Sequence, residues 1–242
     1  DYFCDWYVEI AKIQLTNADE NDQTKNVLYI VFEGLIRALH PIMPFITDEL
    51  WSHLPKSEFM EPVKSCMFAP YPRADLSVLD EKANEKMSHL MQVIRAIRNV
   101  KQTFDVPPKT EAEIYLAITS KDEREFLESN QDYIKRLARV SPVVFGDGKN
   151  KPEGRAAYQI VSDTTVYIPL EKLIDVDKTR EKLEKRLSSK EKELEKVSAM
   201  LANPAFKDKA PEDKVQKQEE LLEEVRKQVE SINAQLAILN TP

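Results

Sequence analysis

Between Lys86 and Asp105 the chain carries no acidic residue, yet it holds Arg95, Arg98 and Lys101. Wound as a helix, Gln92, Arg95, Arg98, Asn99 and Gln102 fall within one sector of about 120°, opposite much of the apolar face. Cations and amides on one stripe can hold phosphates and reach the base edges of RNA. The competing reading of this stripe is an ordinary solvated face. A second concentration of charge lies farther on. Counted in heptads with Leu187 at a, positions c and f run through Lys178, Lys182, Lys185, Ser189, Lys192 and Lys196. Glu181, Glu184, Glu191 and Glu195 fill the adjoining b and e positions. Lys178 with Lys182, and Lys192 with Lys196, are like-charge i,i+4 pairs that cost a few tenths of a kcal/mol in an isolated helix. A helix selected only for solubility would interleave the signs, so the segregation reads as a surface facing a polyanion. A plain solvated coiled-coil face is the alternative.

Other chemistries lack their residues. The four glycines, Gly34, Gly146, Gly148 and Gly154, supply neither a phosphate-cradling loop nor a dinucleotide fingerprint. His40, His53, His89, Cys4 and Cys66 stand singly, without the three or four clustered ligands of a zinc site, and free thiols fit a cytoplasmic location. No apolar run approaches the ~20 residues of a membrane span, and Asp1 to Trp6 has no basic leader, so neither membrane nor export is expected. A formal charge of -7 argues against gripping polyanions, DNA included, with the whole surface. Any nucleic-acid contact must be local. Residues 1–174 hold 21 basic and 27 acidic groups and residues 175–242 hold 14 and 15, so in the tail arrangement matters more than sum.

These residues need elements to position them. At 242 residues the chain exceeds a usual single domain. Phe3, Trp6, Tyr7, Ile10 and Ile13 have helical spacing that ends at the polar run Thr16 to Asp22. From Val27 to Leu39 nearly every position is apolar, which predicts a helix buried on most sides, with Gly34 permitting close packing. In HPIMPFITDELW (40–51) Pro41 and Pro44 force a bend, and Thr47, Asp48 and Glu49 suit the first turn of the next helix. Pro55 to Pro72 reads as an extended connector. A helix from about Asp80 to Phe104 carries the first cationic stripe, and residues 1–108 make a helical bundle. Residues 109–172 then read as a small α+β insert: strand 112–119, helix 122–139, strand 143–145, and a hairpin of 156–161 with 165–168 around Ser162-Asp163. From Leu173 the apolar spacing is heptad through Val176, Arg180, Leu183, Leu187, Lys190, Leu194, Val197 and Leu201. After a break at Asn203 to Pro211 it resumes from Val215 to Leu239. Residues 173–242 are thus expected to fold back as an antiparallel coiled-coil hairpin. Arg180 and Lys190 in its seam disfavour a symmetric parallel dimer and so predict a monomer.

Five segments carry a resemblance. HPIMPFITDELW (40–51), SCMFAPYP (65–72), IRAIRNVK (94–101) before VPP (106–108), VYIPLEKLID (166–175) and LANPAFKDKAP (201–211) are similar, in the same order, to the carboxy-terminal part of valyl-tRNA synthetases. The first element is shared with the isoleucine and leucine enzymes of class I; the last two look specific to the valine enzyme. The resemblance implies a mainly α chain: the class I anticodon-binding bundle over 1–108 without its first helices, the α+β insert, and an arm over 173–242 that packs on the outer corner of tRNA. It also implies that tRNA(Val) is the partner. Gln92, Arg95, Arg98, Asn99, Lys101 and Gln102 then lie toward the anticodon region, and Lys178, Lys182, Lys185, Lys192 and Lys196 toward the elbow. Catalysis, with its ATP and magnesium, belongs to an upstream domain of the parent ligase, so no catalytic residue, metal or cofactor is expected in this stretch. Lys86-Met87-Ser88-His89 resembles the start of the ATP-binding KMSKS loop, but it lacks the second lysine and lies in a helical pattern. The rival from another class is a coiled-coil module that docks a protein and binds no RNA.

Overall fold

The computed structural model describes residues 2–17, 21–55, 63–107, 109–147, 152–203 and 211–240, in two compact units, Asp1–Glu81 and Lys82–Pro242. The first unit opens with a π-helical segment, Tyr2–Tyr7, that runs into α1 (Val8–Gln14), followed by α2 (Asn21–Leu39) and α3 (Pro44–His53). Trp6, Ile10 and Ala11 bury the inner side of the first two. The helix expected to be buried on most sides is not. Along α2 only Thr24, Glu33 and Ile36 are buried, whereas Ile30 is 65% exposed and Val27, Val31, Phe32, Leu35 and Leu39 are also exposed. A side chain at Gly34 would meet nothing within 4 Å, so close packing there is corrected as well.

Pro44 is the first residue of α3, where its missing N–H costs nothing. Asp48 and Glu49 therefore lie beyond the first turn, and their expected service to the helix dipole is replaced by other roles. Asp48 accepts hydrogen bonds from Ser65 Oγ (2.7 Å) and the Cys66 N–H (2.9 Å), which pull its carboxyl below the usual range. It thereby ties the connector to α3. Arg37 makes a second tie: its guanidinium pairs with buried Glu33 and donates to the Pro70 carbonyl at 2.8 Å. Within residues 63–72 the connector contains a short 3₁₀ turn, Cys66–Phe68; residues 56–62 lie outside the described structure. Burial beside Asp48 and Glu33 pushes the Cys66 thiol up.

The second unit, from Lys82, holds all but the first residue of α4 (Glu81–Thr103), whose Leu90, Val93, Ile94 and Ile97 are completely buried. Then follow β1 (Ala112–Ile118), α5 (Lys121–Ser129), α6 (Gln131–Ala138), β2 (Val140–Asp147), β3 (Ala156–Val161) and β4 (Thr164–Pro169). The sheet order is β2-β1-β4-β3, with β1 parallel to β2 and antiparallel to β4, and β3 antiparallel to β4. The expected helix 122–139 is two helices, because the Asn130 side chain donates to the Phe126 carbonyl at 2.8 Å and ends the first of them. The expected strand 143–145 is longer, since pairing with β1 extends from Val140 to Asp147. Side-chain bonds fasten α4 to this α+β part: His89 Nε2 lies 2.6 Å from Glu123 Oε1 on α5 and 3.3 Å from Thr164 Oγ1 on β4. The compact unit from Lys82 onward accordingly takes in α4 together with the α+β part.

Desolvation holds the His89 imidazole below its ordinary pKa, outweighing the attraction of Glu123 and Asp163. A histidine lowered in the folded state stabilises fully above its unfolded pKa of about 6.5 and loses that contribution as pH falls below it. Urea titrations at pH 7.5 and 5.5 should show the parent losing more stability than His89→Gln. Equal losses would mean that His89 titrates alike in both states.

The hairpin is α7 (Val176–Ala202) and α8 (Glu212–Asn240); most of the expected break between them, residues 204–210, lies outside the described residues. Asp175 caps α7 by accepting from the Lys178 N–H at 3.1 Å. Leu183, Val197 and Leu201 bury the α7 seam against Val225, Ile232, Leu236 and Leu239 of α8. Arg180 donates to the Leu239 carbonyl at 3.4 Å, joining the start of one helix to the end of the other and making the pair antiparallel. The seam cations are accommodated locally: Arg180 also pairs with Asp177, and Lys190 pairs with Glu193 at 2.7 Å. At ~1.5 Å per residue α7 is about 40 Å long.

Candidate RNA interface

The buried face of α4 fixes the direction of the opposite one. Gln92, Arg95, Arg98, Asn99 and Gln102 are all exposed along it. Lys101 is not: it is 7% exposed, and its ammonium donates to the carbonyls of Thr110 (2.8 Å), Arg139 (3.0 Å) and Ala138 (3.3 Å). Burial, with Arg139 nearby, holds its pKa down. The expectation that Lys101 faces RNA is therefore corrected. It sits one helical step from the exposed stripe, on the side where α4 meets the end of α6, and there it binds the chain together. Arg98 is divided between roles, since its Nε (3.0 Å) and Nη2 (2.7 Å) donate to the Leu137 carbonyl near the end of α6 while the residue stays exposed.

These hydrogen bonds shape a cleft of about 640 Å³ lined by Arg98, Gln102, Asp105, Val106, Leu137 and Arg139 among others. Arg139 is exposed and ends α6 in the left-handed conformation, φ 51°. Sequence reasoning misses it, because a helix running through 139 makes it one more surface cation. Its position opposite α4 depends on the turn from α6 into β2, which no local pattern announces. Asp105 is likewise left-handed, φ 52°, at the turn that ends α4. Its carboxylate reaches Lys182 Nζ on α7 at 2.6 Å. The cleft and the foot of the arm therefore adjoin.

Along α7, Lys178, Lys182, Lys185, Lys192 and Lys196 are all exposed. Lys178 pairs with Asp175 at 3.0 Å and Lys182 with Asp105; among the described residues Lys185, Lys192 and Lys196 have no carboxylate within ion-pair distance. From Lys178 to Lys196 the stripe runs 18 residue steps, or roughly 27 Å of helix. The two helices differ in charge: residues 176–202 hold eight basic and six acidic groups, residues 212–240 four and seven. A polyanion is favoured on the α7 side and repelled by α8. Among the described residues no helix is long and apolar enough to cross a membrane, and no group of three or more His, Cys, Asp and Glu is placed to hold a metal.

Residues 1–116 match the family model of the anticodon-binding domain of tRNA ligases, and residues 175–240 match that of the valyl tRNA synthetase tRNA binding arm. The chain belongs to the valine–tRNA ligase family. It is 36% identical over 236 residues to the valine–tRNA ligase of Geobacter sulfurreducens, covering 97% of this chain and 26% of that one. The Listeria innocua enzyme is 38% identical over 219 residues (89% and 24%), and that of Geobacillus stearothermophilus 34% over 241 residues (99% and 27%). The chain thus spans about a quarter of the length of these curated relatives. In this family setting the exposed α4 stripe lies within the anticodon-binding match and the lysine stripe within the arm match, while Arg139 and the α6 side of the cleft lie between the two.

Proposed function

We propose that this chain is a tRNA-recognition segment of a valine–tRNA ligase. The anticodon region is held along Gln92, Arg95, Arg98, Asn99 and Gln102, and the elbow along Lys178, Lys182, Lys185, Lys192 and Lys196. Aminoacylation, with ATP and magnesium, is carried out by another domain of the whole ligase in the cytoplasm. The observation that carries this reading is a family-matched arm whose lysines stand together on one solvent-facing side of α7, with the acidic balance left to α8. Phosphate contacts position a nucleic acid without reading it, so the arm supplies affinity and the amide-bearing α4 stripe supplies discrimination. The hairpin pairs with itself, so the segment works as a monomer.

Filter binding at 0.1 M salt tests this with the purified chain, a tRNA(Val) transcript and the same transcript carrying another anticodon. The expected result is tighter binding of the first, a preference reduced by Gln92→Ala with Asn99→Ala, and no valine-dependent exchange of pyrophosphate into ATP. Equal, weak binding of both transcripts would refute the recognition role, and measurable exchange would refute the absence of catalysis.

A further inference from the structure

The ion pair between Asp105 and Lys182 joins two surfaces that the sequence separates by 77 positions. Both side chains remain largely exposed, Lys182 at 68% and Asp105 at 70%, so the pair is open to competition from solvent ions. Lys182 belongs to the lysine stripe of α7, yet here its ammonium faces a carboxylate of its own chain. That carboxylate stands at the edge of the cleft bordered by Arg98 and Arg139. An acidic group set among cations at the foot of a polyanion-facing arm occupies a position suited to a phosphate. We propose that Asp105 is a placeholder for an RNA phosphate: the phosphodiester of a bound tRNA takes its place on Lys182. The proposal rests on the tRNA-recognition reading and adds to it a site at the junction of α4 and α7, together with an ion pair that must open for the site to be used.

The exchange conserves charge pairing. In the free chain Lys182 is neutralised by Asp105; in the complex the phosphate neutralises Lys182, and the Asp105 carboxylate returns to water. The released carboxylate, beside the bound backbone, opposes binding, so the placeholder lowers affinity for RNA in general. It also holds the foot of the arm against α4 while no RNA is present. Aspartate and asparagine both tolerate the left-handed backbone at 105, so Asp105→Asn removes the charge and keeps the turn.

A double-mutant cycle on the full chain separates this exchange from general electrostatics. Affinity for the tRNA(Val) transcript is measured at 0.1 M salt for the parent, Asp105→Asn, Lys182→Gln and both together. Glu181→Gln, an exposed neighbour carrying the same change of charge, is the control. Asp105→Asn should tighten binding about two- to fivefold, the range set by releasing an exposed ion pair. In the Lys182→Gln background the gain should shrink to that of Glu181→Gln. A gain of equal size in both backgrounds, or one no larger than the control in the parent, overturns the placeholder while leaving tRNA recognition standing. Failure of the parent to bind the transcript at all overturns both.

Discussion

Replacing Lys178, Lys182, Lys185, Lys192 and Lys196 together by glutamine should cost the chain roughly ten- to a thousandfold in tRNA affinity at 0.1 M salt, with the slope of log affinity against log salt falling by up to ~0.9 for each phosphate deprived of its lysine. All five side chains are exposed, and only Lys178 and Lys182 have an ion-pair partner among the described residues. Their replacement therefore has little folded-state cost. Glutamine is close to lysine in helix propensity, and two like-charge i,i+4 repulsions disappear with the charges. Against this stand two surface ion pairs, each contributing well under about 1 kcal/mol. The melting temperature should stay near that of the parent while affinity collapses. The matching variant, with Glu181, Glu184, Glu191 and Glu195 changed to glutamine, should bind more tightly and keep its slope, because it brings no new cation to a phosphate. Unchanged affinity and slope in the lysine variant would make the stripe a solubilising surface and would move the elbow-binding surface to another face of the arm.

How far the sequence reveals this molecule depends on the range over which each signal acts. The hairpin is legible because a heptad seam is a local periodic pattern, and its two runs are buried through residues such as Leu183 and Val225, as the spacing requires. The lysine stripe is legible for the same reason. The break between α5 and α6 is not, because it depends on the Asn130 side chain choosing the Phe126 carbonyl over solvent. The exposed face of α2 is not legible either: apolar residues on every side predict burial only when something packs on every side. Arg139 and Asp105 escape a reading of periodicity because their importance comes from left-handed turns, at the end of α6 and at the end of α4, that place both on one cleft and leave Asp105 within reach of Lys182 on α7. Lys101 is the instructive error. It shares its charge with Arg95 and Arg98, but a wheel places it at the border of the apolar face. Only tertiary packing decides whether a border lysine extends to solvent or turns inward.

That distinction has a measurable consequence. Lys101→Met keeps most of the aliphatic stem but removes the ammonium, and it leaves the carbonyls of Thr110, Ala138 and Arg139 without their donor. Charge-assisted hydrogen bonds contribute about 1.5–3 kcal/mol each, offset in part by the cost of keeping an ammonium out of water. A net loss of about 2–3 kcal/mol is expected, which at the size of this chain lowers the melting temperature by roughly 5–10 °C. Arg95→Gln, on the solvent side of the same helix, should shift it by far less. The RNA readout should be reversed. Well below its melting temperature Lys101→Met should bind the tRNA(Val) transcript with the parent's salt slope, because a lysine whose donors are taken by three backbone carbonyls releases no counterion from RNA. Arg95→Gln should flatten that slope by up to ~0.9 if its guanidinium meets a phosphate. A Lys101→Met chain that melts with the parent yet binds with a flatter slope would show the ammonium turned outward in solution, restoring the role its residue type first implied.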